Sequence, residues 1–217
     1  MNLLAVETAS SVCGVALFLE GKLHGIEEKE IGRQHAEMLP LYTDRLLESR
    51  QVTLKELHGI AVSIGPGSFT GLRIGLSFAK GLAFSSDLPL APVPTLEAMV
   101  HAASGPDGMI RCLLHSHRDF VYVQDFFLRG DRPVPGSGPF SVRWKEVQKT
   151  VPDQAVVYQY GCENLLDEVR LPAETVTVQP SARGVGEVAL VDFDGIKQVD
   201  FHGLEPRYVS HFSPGIR

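Results

Sequence analysis

Apolar positions near the start of the chain come in short runs of strand length bounded by turn formers. Residues 3–6, 12–19 and 23–30 read as three strands, joined by Thr8-Ala9-Ser10-Ser11 and by the Glu20-Gly21 turn, and so as a meander. A helical period follows. A helix spans residues 35–49, with Pro40 near its first turn, where a missing amide donor costs least. A strand over 59–64 leads through a glycine-rich turn into a second helix ending near Phe84, followed by a strand over 90–93 and a helix over 95–103. This order describes an α/β fold, a mixed sheet with helices on its faces. Ser104-Gly105-Pro106-Asp107-Gly108, a cluster of turn formers, divides residues 1–104 from a smaller second domain, 105–217, whose last residues are free to return to the first. In that second part, strands over 111–116 and 120–128 precede a long loop, 132–139, and short helices over 144–150 and 164–169 flank a strand over 156–158. No repeat, coiled coil or low-complexity tract is visible.

The strand–turn–helix junction Gly65-Pro66-Gly67-Ser68-Phe69-Thr70-Gly71-Leu72-Arg73-Ile74-Gly75 marks a place where backbone approaches something closely. A phosphate loop of the Gly-Lys-Ser/Thr type is excluded, because Gly71 is followed by Leu72 and Arg73. The spacing of Gly65, Gly67 and Gly71 does not fit a dinucleotide fingerprint, and Ser68 lacks the flanking glycines of a hydrolase elbow. Packing fits better. Gly71, Gly75, Ala79 and Ala83 recur at intervals of four and line one stripe, while Leu72, Ile74, Leu76, Phe78 and Leu82 make most of the remaining surface apolar. Such a helix is covered on more than one side, either inside one domain or by a second subunit. The preceding helix poses the same choice, since Met38, Leu39, Leu41, Tyr42, Leu46 and Leu47 cover an arc wider than one core-facing stripe.

Composition narrows the function little. The 217 residues are 44% hydrophobic with mean hydropathy +0.03, enough for a sizeable core. Net charge is −6 and neither half is basic, so contact with a nucleic acid or another polyanion is expected to be indirect. Cys13, Cys112 and Cys162 are too few and too widely spaced for a disulfide framework or a structural zinc site, which implies a reducing compartment. With no cationic leader and no long apolar run, a cytoplasmic protein away from the membrane is expected.

The run from Ser63 to Ala83 resembles the signature of the bacterial TsaB (YeaZ) family, relatives of the catalytic TsaD (Kae1, glycoprotease-like) proteins. Glu7-Thr8-Ala9, His35-Ala36-Glu37-Met38-Leu39-Pro40 and Pro92-Val93-Pro94-Thr95-Leu96-Glu97-Ala98 are similar in the same way. The resemblance covers the first half and thins beyond His101 to the neighbourhood of Pro206 and Tyr208. It implies the actin-like, Hsp70-like and sugar-kinase-like ATPase fold with a reduced second domain. It also implies a place in forming N6-threonylcarbamoyladenosine (t6A) beside the tRNA anticodon, as the non-catalytic partner of a TsaD-like transferase. A TsaE-like ATPase would dock near their junction, where ATP could sit, and the donor would be threonylcarbamoyl-adenylate. The chain alone would bind no cofactor and would form a homodimer. The shared contact surface would comprise Met38, Leu39, Tyr42, Leu46, Gly71, Gly75, Ala79 and Ala83. Where the catalytic relatives carry a His-x-Glu-x-His metal motif, this chain reads Thr95-Leu96-Glu97-Ala98-Met99, which cannot supply two imidazoles. The alternative is a free-standing enzyme, an actin-fold phosphotransferase or a peptidase.

Two further constellations stay open. Thr8, Ser10 and Ser11 occupy the place where actin-like ATPases contact phosphate, but the opposing turn is reduced to Gly161-Cys162-Glu163-Asn164, and a tight turn capped by small polar groups is the favoured reading. His115, His117 and Asp119 alternate, so that one strand face could present three metal ligands or a solvated edge.

Overall fold

The opening segments become β1 (Leu3–Glu7), β2 (Val12–Leu19) and β3 (Lys22–Glu30) in the computed structural model, which describes residues 1–103, 105, 107–130, 132–152, 154–168 and 171–209. Then come α1 (His35–Arg50), β4 (Gly59–Gly65), α2 (Phe69–Ser86), β5 (Leu90–Pro94) and α3 (Thr95–Ala103). Asp87 ends α2 in the left-handed region at φ 54°. The first sheet has the order β3-β2-β1-β4-β5. Its hairpin pairs are antiparallel, whereas β1, β4 and β5 run parallel, with α1 in the connection leading to β4 and α2 as the crossover from β4 to β5.

The second sheet repeats this plan. It is built from β6 (Gly108–His117), β7 (Phe120–Arg129), β8 (Arg132–Pro135) and β9 (Phe140–Arg143), then α4 (Trp144–Thr150), β10 (Val156–Tyr160), α5 (Glu163–Glu168) and β11 (Thr175–Thr177). The order is β11-β10-β6-β7-β8, with β9 also on β7. Antiparallel pairs again lead to parallel ones at β6, β10 and β11. The long loop expected over 132–139 is corrected in its first half: residues 132–135 form β8, which lies with β9 along one edge of β7, and only 136–139 remain a loop. Pro133 and Pro135 suppress strand character in the sequence, yet an edge strand tolerates them because it need donate to one side only. Ser104 and Pro106 of the expected boundary, and Val169 of the expected helix, lie outside the described residues.

After β11 the chain returns to the first sheet as α6 (Ala182–Val191) and α7 (Phe193–Ile196). Four apolar clusters result. α1 and α2 cover one face of the first sheet over Leu4, Val6, Val15 and Leu17, and α6 covers the other over Leu3, Ala5, Ala16 and Phe18. α3 is shared, since Leu96, Met99 and Val100 pack on Ile110, Cys112 and Phe126 of the second sheet. α4 and α5 close that sheet's outer face around Trp144, Val147 and Val157. Burial of this apolar surface, at roughly 25 cal/mol per Å², is the main term holding the layers together.

Candidate functional site

The glycine-rich junction is approached by the chain's own first turn. Ser68 N donates to Ala9 O at 2.7 Å, and Ser68 Oγ caps α2 by accepting from Gly71 N at 3.2 Å. A Cβ at Gly67 would collide with Ala9 O, one at Gly71 with Thr8 O, and one at Gly75 with Thr8 Oγ1. The glycines are therefore consumed in letting α2 settle on the end of β1.

This corrects the expected contact surface. Leu39, Tyr42, Leu46, Gly71, Gly75, Ala79 and Ala83 are all buried within the chain, and Met38 is half-buried. The physical reason is that α1 and α2 bury these side chains against the first sheet and each other. The outer surface is made by other residues. Arg73, Ser77, Gly81 and Ser85 repeat the interval of four, offset by two positions and thus on the opposite side of α2. Phe84, 73% exposed, and Leu41, 46% exposed, stand beside this outer stripe on α2 and α1.

A strap borders the stripe. Gln198 bridges to Leu90, Phe201 and Leu204 enter the α1–α2 core, and Lys80 Nζ donates to the carbonyls of His202 at 3.0 Å and Leu204 at 2.8 Å. Arg207 N donates to Ile64 O at 2.7 Å. Tyr208 stacks on Phe69 with ring centroids 4.9 Å apart and accepts from Arg73 Nε at 3.0 Å. The strap thus runs antiparallel to α2.

Between the two sheets, at the carboxyl ends of β1 and β4, lies a cleft of about 700 Å³, where folds of this kind hold ligands. Ser10 and Ser11 line it together with Arg33, His35, Thr70, His115, Tyr160 and Gly161. The expected phosphate turn is thus at a cleft, but its hydroxyls are engaged. Ser10 Oγ accepts from Val12 N at 3.1 Å, while Ser11 Oγ donates to Glu30 Oε1 at 2.7 Å and lies 3.0 Å from the Tyr160 hydroxyl. The Glu30 carboxylate opposes a phosphate there. Thr8 does not line the cleft; its buried hydroxyl lacks a hydrogen-bond partner among the described residues and faces Gly75. His35 Nε2 lies 3.0 Å from Ser10 O and 3.2 Å from Val12 O, which fixes the turn. The roles of His35 and Tyr160 have no sequence signal, because their partners lie far away in the chain.

Beneath the turn, Glu7 is fully buried. Its Oε1 accepts from Ala9 N, and Oε2 has no hydrogen-bond partner among the described residues. Burial pushes its carboxyl up from 4.5 to about 7, against the lowering effect of the Ala9 amide and the Ser63 hydroxyl. Glu28 faces it across Gly14 and accepts from Ser181 Oγ at 2.9 Å. Burial also raises the Cys13 and Cys162 thiols to about 12, so neither is poised as a nucleophile.

His115, His117 and Asp119 do not converge. The register of β6 shifts between His115 and His117, the strand ends at His117, and Arg118 turns the chain at φ 54°. His115 Nε2 meets Arg118 O, His117 stacks on Phe120, and Asp119 pairs with Arg143 at 3.2 Å. Among the described residues no three His, Cys, Asp or Glu side chains come together as metal ligands. Thr95 and Met99 are wholly buried; Thr95 Oγ1 accepts from Gly65 N at 3.1 Å, and Met99 packs on the second sheet.

The family model of TsaD, described as tRNA N6-adenosine threonylcarbamoyltransferase, matches residues 19–130, more than half of the chain. The tRNA threonylcarbamoyladenosine biosynthesis protein TsaB of Haemophilus influenzae is 39% identical over 103 residues, covering 48% of this chain and 43% of the relative. The protein of the same name from Escherichia coli is 38% identical over 114 residues, covering 52% and 48%. The match spans about half the length of these curated relatives. YeaZ from Pseudomonas aeruginosa superposes with a TM-score of 0.82 at 24% identity, over 95% of this chain and 99% of that one. EutJ from Carboxydothermus hydrogenoformans follows at 0.52 and 10% identity, over 86% and 89%. The fold is thus the actin-like ATPase fold.

Proposed function

The chain belongs to the TsaB (YeaZ) family within the TsaD superfamily, and from that premise we propose that it is a non-catalytic subunit in t6A formation, docking onto a TsaD-like transferase through the outer face of α1 and α2. One observation carries this reading. Thr95 and Met99, standing where the resemblance puts two imidazoles, are committed to the fold, one as acceptor for the Gly65 amide and the other as core. Neither can bind a metal ion without dismantling the junction beneath α2.

The docking surface in this reading is the outer stripe Ser77, Gly81 and Ser85 with Phe84, Phe78, Leu41 and Met38 around it. Small residues let a partner helix approach closely, and the apolar neighbours supply contact area. The TsaD family match includes residues 35–86, so a transferase of that family carries a comparable pair of helices, and two such pairs can pack face to face. The same face would serve a homodimer when the chain is alone. A TsaE-like ATPase would dock near the junction, with any ATP held there, and tRNA would be bound through the partner, consistent with a net charge of −6. The working compartment is the cytoplasm; no helix among the described residues is long and apolar enough to cross a membrane.

Reconstitution tests this. The chain is mixed with the TsaD-like and TsaE-like proteins of its own organism and an unmodified tRNA, and t6A is measured by mass spectrometry of nucleosides. The expected result is no product from the chain alone and product from the mixture that depends on it. Turnover of nucleotide or peptide by the chain alone, or full modification without it, would refute the reading.

A further inference from the structure

The outer stripe of α2 begins with a cation held in a fixed pose. Arg73 is exposed, its Cζ lies 3.9 Å from the centroid of the Phe69 ring, and its Nε donates to the Tyr208 hydroxyl. Tyr208 is itself fixed by stacking on Phe69 and by the Arg207 backbone bond to β4. The strap thus orients the guanidinium by its inner nitrogen and by ring stacking, while no group among the described residues accepts from its two terminal nitrogens. A planar fork with its rotamer already chosen suits a carboxylate, which it can bind through two parallel hydrogen bonds.

We infer that Arg73, oriented by Phe69 and Tyr208, is a specificity-determining contact that receives an Asp or Glu side chain of the TsaD-like subunit. The inference rests on the docking reading above, because Arg73 shares its stripe with Ser77 and Gly81. A phosphate of RNA is the less favoured occupant. The site offers one guanidinium on an acidic chain, whereas RNA binding draws on several cations at once.

The test compares Gly81→Leu, Arg73→Glu, Arg73→Lys and Tyr208→Phe in calorimetric titrations with the TsaD-like subunit at low and high salt, each variant first checked for an unchanged melting temperature or better. Arg73→Glu is expected to weaken binding about ten- to hundredfold and to abolish most of the salt dependence. Tyr208→Phe should weaken it by a few fold, and Arg73→Lys should fall between, because a point ammonium lacks the fork. Carbodiimide treatment of the Arg73→Lys complex should yield a cross-link from residue 73 to a partner Asp or Glu. If Gly81→Leu weakens binding and Arg73→Glu does not, the docking face stands and this inference falls. If neither weakens it, both fall. Loss of tRNA binding by Arg73→Glu with the partner still bound would overturn the inference in favour of a phosphate.

Discussion

Replacing Glu7 by glutamine should change how stability depends on pH, by an amount the structure sets. The carboxyl is wholly buried, has one oxygen without a partner among the described residues, and faces a second carboxyl, Glu28, across Gly14. Burial raises it from 4.5 to about 7. A folded-state value above the unfolded one means that the native state binds the proton more tightly. The stabilising contribution is then fully present below about 4.5 and is lost as pH rises through about 7. Between about pH 5 and pH 8 the parent protein should lose about 2.5 kcal/mol through this group. Glutamine keeps an oxygen for the Ala9 amide and cannot ionise. Other groups titrate in both proteins and largely cancel in the difference. Where they do not, as for Glu28, removing the Glu7 charge acts in the same direction. Urea unfolding of the two proteins across this range should therefore give stability curves that converge or cross on the acid side, separate steadily between about pH 5 and pH 7 and keep a nearly constant gap above about pH 8, with Glu7→Gln the more stable. Curves that run parallel between about pH 5 and pH 7, or an advantage for glutamine that grows on acidification, would refute the reasoning.

Other outcomes follow from the same contacts. Gly75→Leu should destabilise by about 3 kcal/mol or more, because the new side chain meets Thr8. Gly81→Leu, with nothing within 4 Å of its Cβ, should gain about 0.5 kcal/mol from helix propensity; thermal melts separate the two. Tyr160→Phe removes the hydroxyl that meets Ser11 across the cleft and should cost about 1 kcal/mol, with faster amide exchange at residues 9–12. Asp125→Ala leaves the Arg111 guanidinium, bound by two bonds of 2.8 Å, buried without its partner, and should cost about 3 kcal/mol in denaturant titrations.

The first sheet was legible in the sequence because β1, β2 and β4 are near-continuous apolar runs of strand length, its turns carry Gly and Ser, and α2 starts at the capping residue Ser68. The end of the second sheet was not. β11 is only three residues long, and α6 contains Gly184 and Gly186, which lower its helix propensity; it holds its shape by packing Ala182, Val185 and Ala189 on the first sheet. The cleft was half legible. Ser10 and Ser11 could be named from their place after β1, but what occupies their hydroxyls could not, since Tyr160 lies 149 residues from Ser11 and Glu30 lies across the hairpin.

The two sides of α2 carry similar patterns with different physical origins. A repeat of small residues every four positions says that a backbone comes near, and α2 carries two such repeats, Gly71-Gly75-Ala79-Ala83 and Arg73-Ser77-Gly81-Ser85, offset by two. The first is the more regular and draws the eye. Its regularity arises because a wholly buried stripe on a closely approaching backbone tolerates no Cβ beyond alanine at any step. A face covered only in an assembly must also stay soluble when uncovered, so it mixes small residues with serine and an arginine. Strict smallness therefore goes with packing inside the subunit, and the looser, more polar stripe is the one that the proposed function leaves for a partner. On that argument Gly81→Leu, and not Gly75→Leu, is the substitution that separates assembly from folding. It should leave a chain that melts no earlier than its parent yet binds the TsaD-like subunit at least tenfold more weakly, a loss of about 1.4 kcal/mol or more.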